Sequence, residues 1–399
     1  QYKCLRTRYA ETDQMGVVYY GNYPQYLELG RVEWLRSIGF TYKAMEEEGI
    51  MMPVVSLQIQ YKKPALYDEL ITIRTKLKEL PSTKIEFDYE ILNEKGEFIN
   101  GENGAEVLAL AEREDFGYAE VDNLGKYETR EDGFAVHIAK ILALPMVDAE
   151  VVKAKKFKVV LDAVNSTGGM ALPPLLEQLG CEVVKLYCEP NGHFPHNPEP
   201  LKEHLTDICD LMKKEKADLG IVVDPDVDRL ALIDENGEMF GEEYTLVAVA
   251  DYLLRHKKGV AVCNLSSSRA LRDVAKTHDS EYFASAVGEV NVVTLMKEKN
   301  AVIGGEGNGG IIYPDLHYGR DSLVGAALFL THLAKENKTV SELRATYPAY
   351  FMGKKKIELT PEINVDEVLE KIKTKYQNEE ISTIDGVKID FAENWVHLR

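Results

Sequence analysis

The sequence predicts an α+β domain, a sheet around one central helix, followed by tandem α/β domains of which the last is truncated. Three observations carry that expectation. Residues 1–97 read as one strand, one long helix and a meander of strands; from residue 156 onward apolar strands alternate with helices; and "YEILNEKGEFINGEN", residues 89–103, separates the two rhythms. The chain has 399 residues, too many for one compact core. The expected divisions are 1–97, a linking stretch over 98–150, then 151–257, 258–354 and 355–399.

In the first segment "YKCLRTRYAETD" alternates as a strand does, and the loop "QMGVVYYGNY" follows it. In "PQYLELGRVEWLRSIG" the residues Tyr26, Leu27, Leu29, Val32, Leu35 and Ile38 recur at helical spacing. Pro24 suits the first turn of that helix and Gly39 its end. Three alternating stretches, "VVSLQIQYKK", "ELITIRTKLKEL" and "TKIEFDYEIL", complete the meander. Asp13 precedes a turn at Gly16, and residues 19–23 enter a helix whose free N–H groups face back toward the loop. Such an N-terminus stabilises the oxyanion of an attacked thioester, and a neighbouring carboxylate serves as nucleophile or general base. Asp13 capping a turn beside a core tyrosine pair is the other reading.

"RYAETDQMGVVYYGNYPQYLELGRVEWLRSIG" resembles the opening motif of hotdog-fold acyl-CoA thioesterases of the 4-hydroxybenzoyl-CoA thioesterase type. The resemblance implies a hotdog domain acting on acyl-CoA, with Asp13 as the catalytic carboxylate and the Tyr20 backbone N–H as oxyanion donor. It also implies homo-oligomerisation through the hotdog domain. Glu28 and Arg31, one helical turn apart, form a candidate polar pair.

Beyond the seam, "KFKVVLDAV", "GGMALPPLLEQLG", "CEVVKLY", "PLKEHLTDICDLMKKEK" and "ADLGIVVD" alternate strand and helix as parallel α/β domains do. A second such run starts at "GVAVCNL", and a shorter third one covers "KKKIELT", "NVDEVLEKIKTKY" and "DGVKIDF". "GAEVLALAERED", residues 104–115, fits strand or helix.

In "VVDPDVDRLAL" three aspartates at spacing two follow an apolar strand. A loop at the carboxyl end of a parallel strand turns Asp224, Asp226 and Asp228 toward one point, a hard oxygen site suited to Mg2+. Arg229 adds a fork for a phosphate, though an acidic surface turn explains the string as well. In "GGEGNGGIIYP" the glycines permit close approach of a ligand, and Glu306 and Asn308 offer hydrogen bonds suited to sugar hydroxyls. No Lys-Ser or Lys-Thr follows, which excludes a P-loop.

These strings, with "DAVNSTGG", "GHFPHNPEP" and "SAVGEVN", resemble the α-D-phosphohexomutases, the phosphoglucomutase and phosphomannomutase superfamily. The resemblance implies Mg2+ on Asp224, Asp226 and Asp228, Arg229 near the transferred phosphate, and Glu306 and Asn308 on the sugar of a hexose phosphate. The family's phosphoserine loop has no counterpart string; "PHNPEP" lacks the serine, and "LSSSRAL" offers hydroxyls but at a third-domain position. Impaired mutase activity is therefore expected. The alternatives are an acyl-CoA thioester hydrolase carried by the hotdog domain, and a non-catalytic fusion of two gene fragments. Residues 92–97 are the expected crossover point.

Lys plus Arg number 47 against 66 for Asp plus Glu, a formal net charge of −19 that disfavours nucleic acid and anionic lipid as partners. Five scattered cysteines without C-x-x-C spacing, and no long apolar run, fit a cytoplasmic location. The opening on Gln1 and the stop at Arg399 directly after "WVHL" lead us to expect that both ends are cut.

Overall fold

The computed structural model describes residues 2–12, 18–37, 39–47, 54, 57, 59, 65, 70–77, 87–93, 101–113, 129, 131–358 and 363–399. The chain divides into two compact units, Gln1–Glu97 and Phe98–Arg399.

The first unit holds strand β1 (Tyr2–Arg6), helices α1 (Tyr23–Ser37) and α2 (Tyr42–Glu47), and strands β2 (Leu70–Leu77) and β3 (Phe87–Asn93). β2 lies between β1 and β3 and pairs antiparallel with both. The apolar stripe of α1 covers that sheet, with Tyr23 and Tyr26 packed on Ile71 and Ile73. A Cβ on Gly30 would come within 2.5 Å of Thr75 Oγ1, so glycine is what lets α1 approach β2 this closely. The strand expected over "VVSLQIQYKK" falls largely outside the described residues.

The second unit opens with helix α3 (Gly101–Arg113), so the expected strand or helix over 104–115 is helix as far as Arg113, and residues 114–115 lie outside the described residues. Its Ala, Leu, Glu and Arg content favours that outcome. Helices α4 (Gly133–Leu142) and α5 (Ala149–Lys155) follow. Then come β4 (Lys158–Asp162), α6 (Gly168–Gln178), β5 (Glu182–Leu186), α7 (Thr206–Glu215), β6 (Leu219–Val223), β7 (Leu230–Ile233) and α8 (Glu242–His256). The pattern repeats as β8 (Val260–Asn264), α9 (Ala270–Thr277), β9 (Glu281–Ser285), α10 (Glu289–Lys299), β10 (Ile303–Glu306), β11 (Gly310–Ile312) and α11 (Ser322–Glu336). The two sheets, ordered β5-β4-β6-β7 and β9-β8-β10-β11, share one topology: three parallel strands, then a fourth returning antiparallel. Helices α8 and α11 occupy equivalent places in the repeats, are apolar nearly all round and pack against each other at the centre of one continuous core.

Helices α12 (Val340–Arg344) and α13 (Val365–Lys375) lead to an antiparallel meander of β12 (Glu380–Ser382), β13 (Val387–Asp390) and β14 (Trp395–Leu398). The strand expected at "KKKIELT" is not formed over residues 354–358, where three consecutive lysines remain exposed. The meander is fastened to the second repeat by Arg269, whose guanidinium donates to Asp390 and to the carbonyls of Phe391, Ala392 and Asn394. No helix among the described residues is long and apolar enough to cross a membrane.

Candidate functional site

The β6–β7 connection and the β10–β11 connection are the same turn in the two repeats, and they hold the two strings singled out in the sequence. "DPDVDR" joins β6 to β7, and "GEGNGG" joins β10 to β11. Both lie beyond the carboxyl ends of parallel strands, where open α/β sheets bind ligands.

The first loop closes on itself through Asp224, whose Oδ1 accepts the N–H groups of Asp228 and Arg229, each at 3.1 Å. Val227 sits at φ 63°, a left-handed conformation that a β-branched side chain adopts only at a cost of about 1–3 kcal/mol. Its carbonyl accepts Ser322 N–H at 3.1 Å, so the first turn of α11 holds the strained residue in place. Asp224, Asp226 and Asp228 thereby present carboxylate oxygens within 4.8 Å of one another. Burial raises the Asp224 carboxyl above its ordinary value, against the Arg229 amide hydrogen bond, and the Asp228 and Asp226 charges push it further; burial likewise raises Asp228. Asp228 Oδ1 is buried without a hydrogen-bond partner. A hard divalent cation supplies the charge and the contact this oxygen lacks, so the loop fits Mg2+. Arg229 lies alongside, 3.7 Å from Asp224 and 3.9 Å from Asp228, and faces an open cleft of about 280 Å3 lined also by Asn197, Pro198, Glu199 and Pro225.

The second loop is bound to the first by backbone. Leu230 N–H donates to Gly309 carbonyl O at 3.1 Å, and Arg229 pairs with Gly310 in an isolated antiparallel bridge. Gly309 stands at φ 89°, and a Cβ there would lie 2.4 Å from Leu230 carbonyl O, so glycine is required on both counts. Glu306 is buried and accepts Asn264 Nδ2 at 2.9 Å and Gly288 N–H at 3.1 Å on Oε1, and Arg320 at 3.0 Å on Oε2. Asn308 turns its Oδ1 back to Gly310 N–H at 3.2 Å.

Arg320 is the residue sequence reasoning missed. Its guanidinium bridges three carboxylates: Nε meets Glu289 at 3.0 Å, Nη1 meets Glu306 at 3.0 Å, and Nη2 meets Asp228. A single Arg in "HYGRDS" carries no signal, because its partners lie 92, 31 and 14 residues away.

A second cluster, His137, His317 and Asp321, also brings its ligand atoms within 4.8 Å. Gly319 N–H donates to His317 Nδ1 at 3.0 Å, which leaves the proton on Nε2, where it donates to Asp321. Although burial opposes it, hydrogen bonds from both histidines hold the Asp321 carboxyl well below the usual range. Its other oxygen caps α11. This is a satisfied hydrogen-bond cluster whose nitrogen already carries a proton.

Two sequence profiles match the repeats: phosphoglucomutase/phosphomannomutase alpha/beta/alpha domain II over residues 133–237, and domain III over residues 241–350. A phosphoglucomutase/phosphomannomutase of Thermococcus kodakarensis is 36% identical over 314 residues, which cover 78% of this chain and 68% of the relative. The chain belongs to the phosphoglucomutase/phosphomannomutase family. A phosphoglucosamine/phosphogalactosamine mutase of Sulfurisphaera tokodaii is 30% identical over 88% of this chain and 77% of its own. The crystal structure of a family protein from Burkholderia thailandensis shares the fold, at 23% identity and a TM-score of 0.62 over 83% of this chain and 69% of that one. To this family portion is joined a segment, residues 15–99, that matches the thioesterase superfamily profile. The same region is similar to a DHNA-CoA thioesterase of Staphylococcus aureus, at 41% identity over 24% of this chain and 64% of that one, TM-score 0.23.

Of the site residues expected in the N-terminal unit, the structure describes only some. Asp13 lies outside the described residues. Tyr20 opens a short 3-10 turn, Tyr20–Asn22, that runs directly into α1. Glu28 and Arg31 both line a cleft of about 250 Å3 with Leu27, Val54 and Leu57.

Proposed function

We propose that the C-terminal unit binds a hexose phosphate with Mg2+ and transfers its phosphoryl group, as a phosphohexomutase does. The observation that carries this reading is the backbone bridge between Arg229 and Gly310, which holds the metal loop against the sugar loop. Asp224, Asp226 and Asp228 hold the cation, whose bound charge neutralises the phosphoryl oxygens. Arg229 contributes a fork to the same phosphate. Glu306 keeps one lone pair free on Oε2 after accepting Arg320, and Asn308 keeps its amide donors, so both retain capacity for sugar hydroxyls. In a coupled assay the full chain is expected to convert glucose 1-phosphate to glucose 6-phosphate only with Mg2+. Arg229→Gln is expected to lower kcat/KM by roughly a hundredfold. Turnover no higher than that of Asp228→Asn would remove the reading.

The thioesterase-superfamily match over residues 15–99 supports a second activity, thioester hydrolysis of an acyl-CoA by the N-terminal unit, in a form that associates through that unit. In it Asp13 is the nucleophile or general base, and the Tyr20 N–H, at the start of the turn into α1, receives the oxyanion. Thiol release from benzoyl-CoA is expected to fall by roughly a hundredfold or more in Asp13→Asn. Release that survives this substitution counts against the second activity.

A further inference from the structure

One buried carboxylate is tied to two of the segments that line the cleft beside Arg229. Asp162 ends β4, the strand between β5 and β6, and is only 1% exposed. Its Oδ1 accepts Val164 N–H at 2.9 Å inside the β4–α6 turn. Ser166 and Thr167 of that turn both donate their hydroxyls to the Pro225 carbonyl at 2.8 Å, and Pro225 lines the cleft. Asp162 Oδ2 lies 3.1 Å from His196 Nε2, in the loop between β5 and α7. His196 Nδ1 lies 2.8 Å from the Asn197 carbonyl oxygen, and Asn197 Oδ1 accepts Glu199 N–H at 3.0 Å. Asn197, Pro198 and Glu199 line the same cleft, and the Glu199 carboxylate comes 3.6 Å from Arg229.

The backbone around the pair is strained. Val164, Asn165 and Tyr187 stand at φ 46°, 53° and 52°, a left-handed conformation that such residues keep only where their surroundings enforce it. Asn165 donates its N–H to the Tyr187 carbonyl at 2.6 Å and its Nδ2 to the His193 carbonyl at 3.1 Å, and it accepts Glu189 N–H on Oδ1 and Gly192 N–H on its carbonyl. These bonds fix the first half of the loop. The second half, which carries the cleft residues, is fixed by His196.

That contact depends on a proton. A carbonyl only accepts, so His196 Nδ1 carries hydrogen, and a neutral ring is then left with a bare Nε2 facing a carboxylate oxygen. The two attract only while one further proton lies between Nε2 and Oδ2, and that proton belongs to the pair. Once it leaves, two lone pairs oppose each other. Burial raises the Asp162 carboxyl and so favours keeping the proton, and the Asp207 charge adds to this, against the Val164 amide and His196. Tyr187 also faces the pair, its ring centroid 5.9 Å from that of His196 and its hydroxyl donating to Asp207, as does the Cys188 thiol, which lies against the Leu161 and Leu186 carbonyls.

We infer that Asp162 and His196 are a positioning pair: with one proton between them they hold residues 197–199 on the cleft and set Arg229 and the aspartate loop at the spacing an oxyanion needs. The oxyanion at Arg229 rests on the function proposed above; the proton-dependent hold on the loop does not.

Hydrogen exchange of the full chain, read by peptide mass spectrometry and corrected for the intrinsic pH dependence of amide exchange, tests the hold itself. Peptides over residues 189–200 are expected to be protected until the pair loses its proton, then to lose protection in one step as pH rises. His196→Phe is expected to be unprotected there at every pH, and His196→Arg, whose donors keep their charge, protected at every pH. Thermal midpoints and exchange in β8 and β10 separate this local loosening from a global one, and the step in the unchanged protein needs no variant. A flat profile in the unchanged protein, or unchanged protection in a folded His196→Phe, overturns the proposal. The second arm titrates sulfate, a tetrahedral dianion that holds no proton near neutral pH, into the full chain with saturating Mg2+. Its Kd is expected to rise roughly tenfold in His196→Phe and across the exchange step in the unchanged protein, and to stay level in His196→Arg. Sulfate affinity that ignores the step overturns the positioning role. The exchange step without sulfate binding in any form supports the hold and sinks the oxyanion reading.

Discussion

Replacing Arg320 with alanine is expected to cost the C-terminal unit about 3–5 kcal/mol, the usual penalty for stripping the counter-charge from buried partners. Three carboxylates depend on this one guanidinium. The side chains of Asp228, Glu289 and Glu306 are 18%, 9% and 8% exposed, and Arg320 itself is 13% exposed. Solvent therefore cannot replace the lost charge, as it would at a surface pair. Each nitrogen of the fork serves a different acid, and together they tie the aspartate loop, the glycine-rich loop and the start of α10. Arg320→Lys is expected to recover less than half of the loss, because an ammonium is a point charge and cannot reach all three acids in one plane. Urea unfolding of the full chain, monitored at the C-terminal unit, measures this. A loss below about 1 kcal/mol would mean that the three acids are solvated and that Arg320 acts only as an exposed pair.

Arg320 also marks where sequence reasoning stops. The aspartate loop was legible because its signal is local: an apolar strand followed by acids at spacing two, with Pro225 against helix. The glycine-rich loop was legible for the same reason, since its glycines and polar residues lie within a few positions of one another. What joins them is not local. The Arg229–Gly310 bridge and the Arg320 junction depend on two repeats meeting at equivalent turns, and no spacing along the chain encodes that meeting. Ser266 Oγ and His397 Nδ1 meet at 2.8 Å across 131 residues, so that contact is likewise invisible until the meander is placed. The helix α3 illustrates a different limit. Val107, Leu108 and Leu110 fit a strand or a helix equally by pattern, and all three are exposed on the helix, so burial never contributed a periodicity to read.

Asp224 is expected to make the C-terminal unit's stability fall as pH rises unless Mg2+ is present. Its carboxyl is raised above the ordinary 3.8 by burial first, then by the neighbouring Asp228 and Asp226 charges. A raised folded-state pKa means that the folded protein holds its proton where the unfolded chain has lost it. The stabilising contribution is thus complete below 3.8 and disappears as pH climbs through the higher folded value. Near neutral pH, as the Asp224 carboxyl raised to about 7 begins to ionise, the loop gains a negative charge that Arg320, already shared among Asp228, Glu289 and Glu306, does not answer. A divalent cation removes that penalty; at a hundred times its Kd, Mg2+ is expected to add about 2.7 kcal/mol near neutral pH and little at acid pH, where protons hold the carboxylates. Asp224→Asn preserves the oxygen that accepts the Asp228 and Arg229 amides while deleting the charge. Its metal-free stability near neutral pH is expected to equal or exceed that of the unchanged protein, with the Mg2+ gain lost. Thermal unfolding across pH with and without Mg2+ reads both effects, and a full Mg2+ gain in Asp224→Asn would place the cation elsewhere. The opposite signs matter here: a purely structural aspartate would lose stability on substitution, whereas a metal ligand held near two other acids gains it and loses the ion.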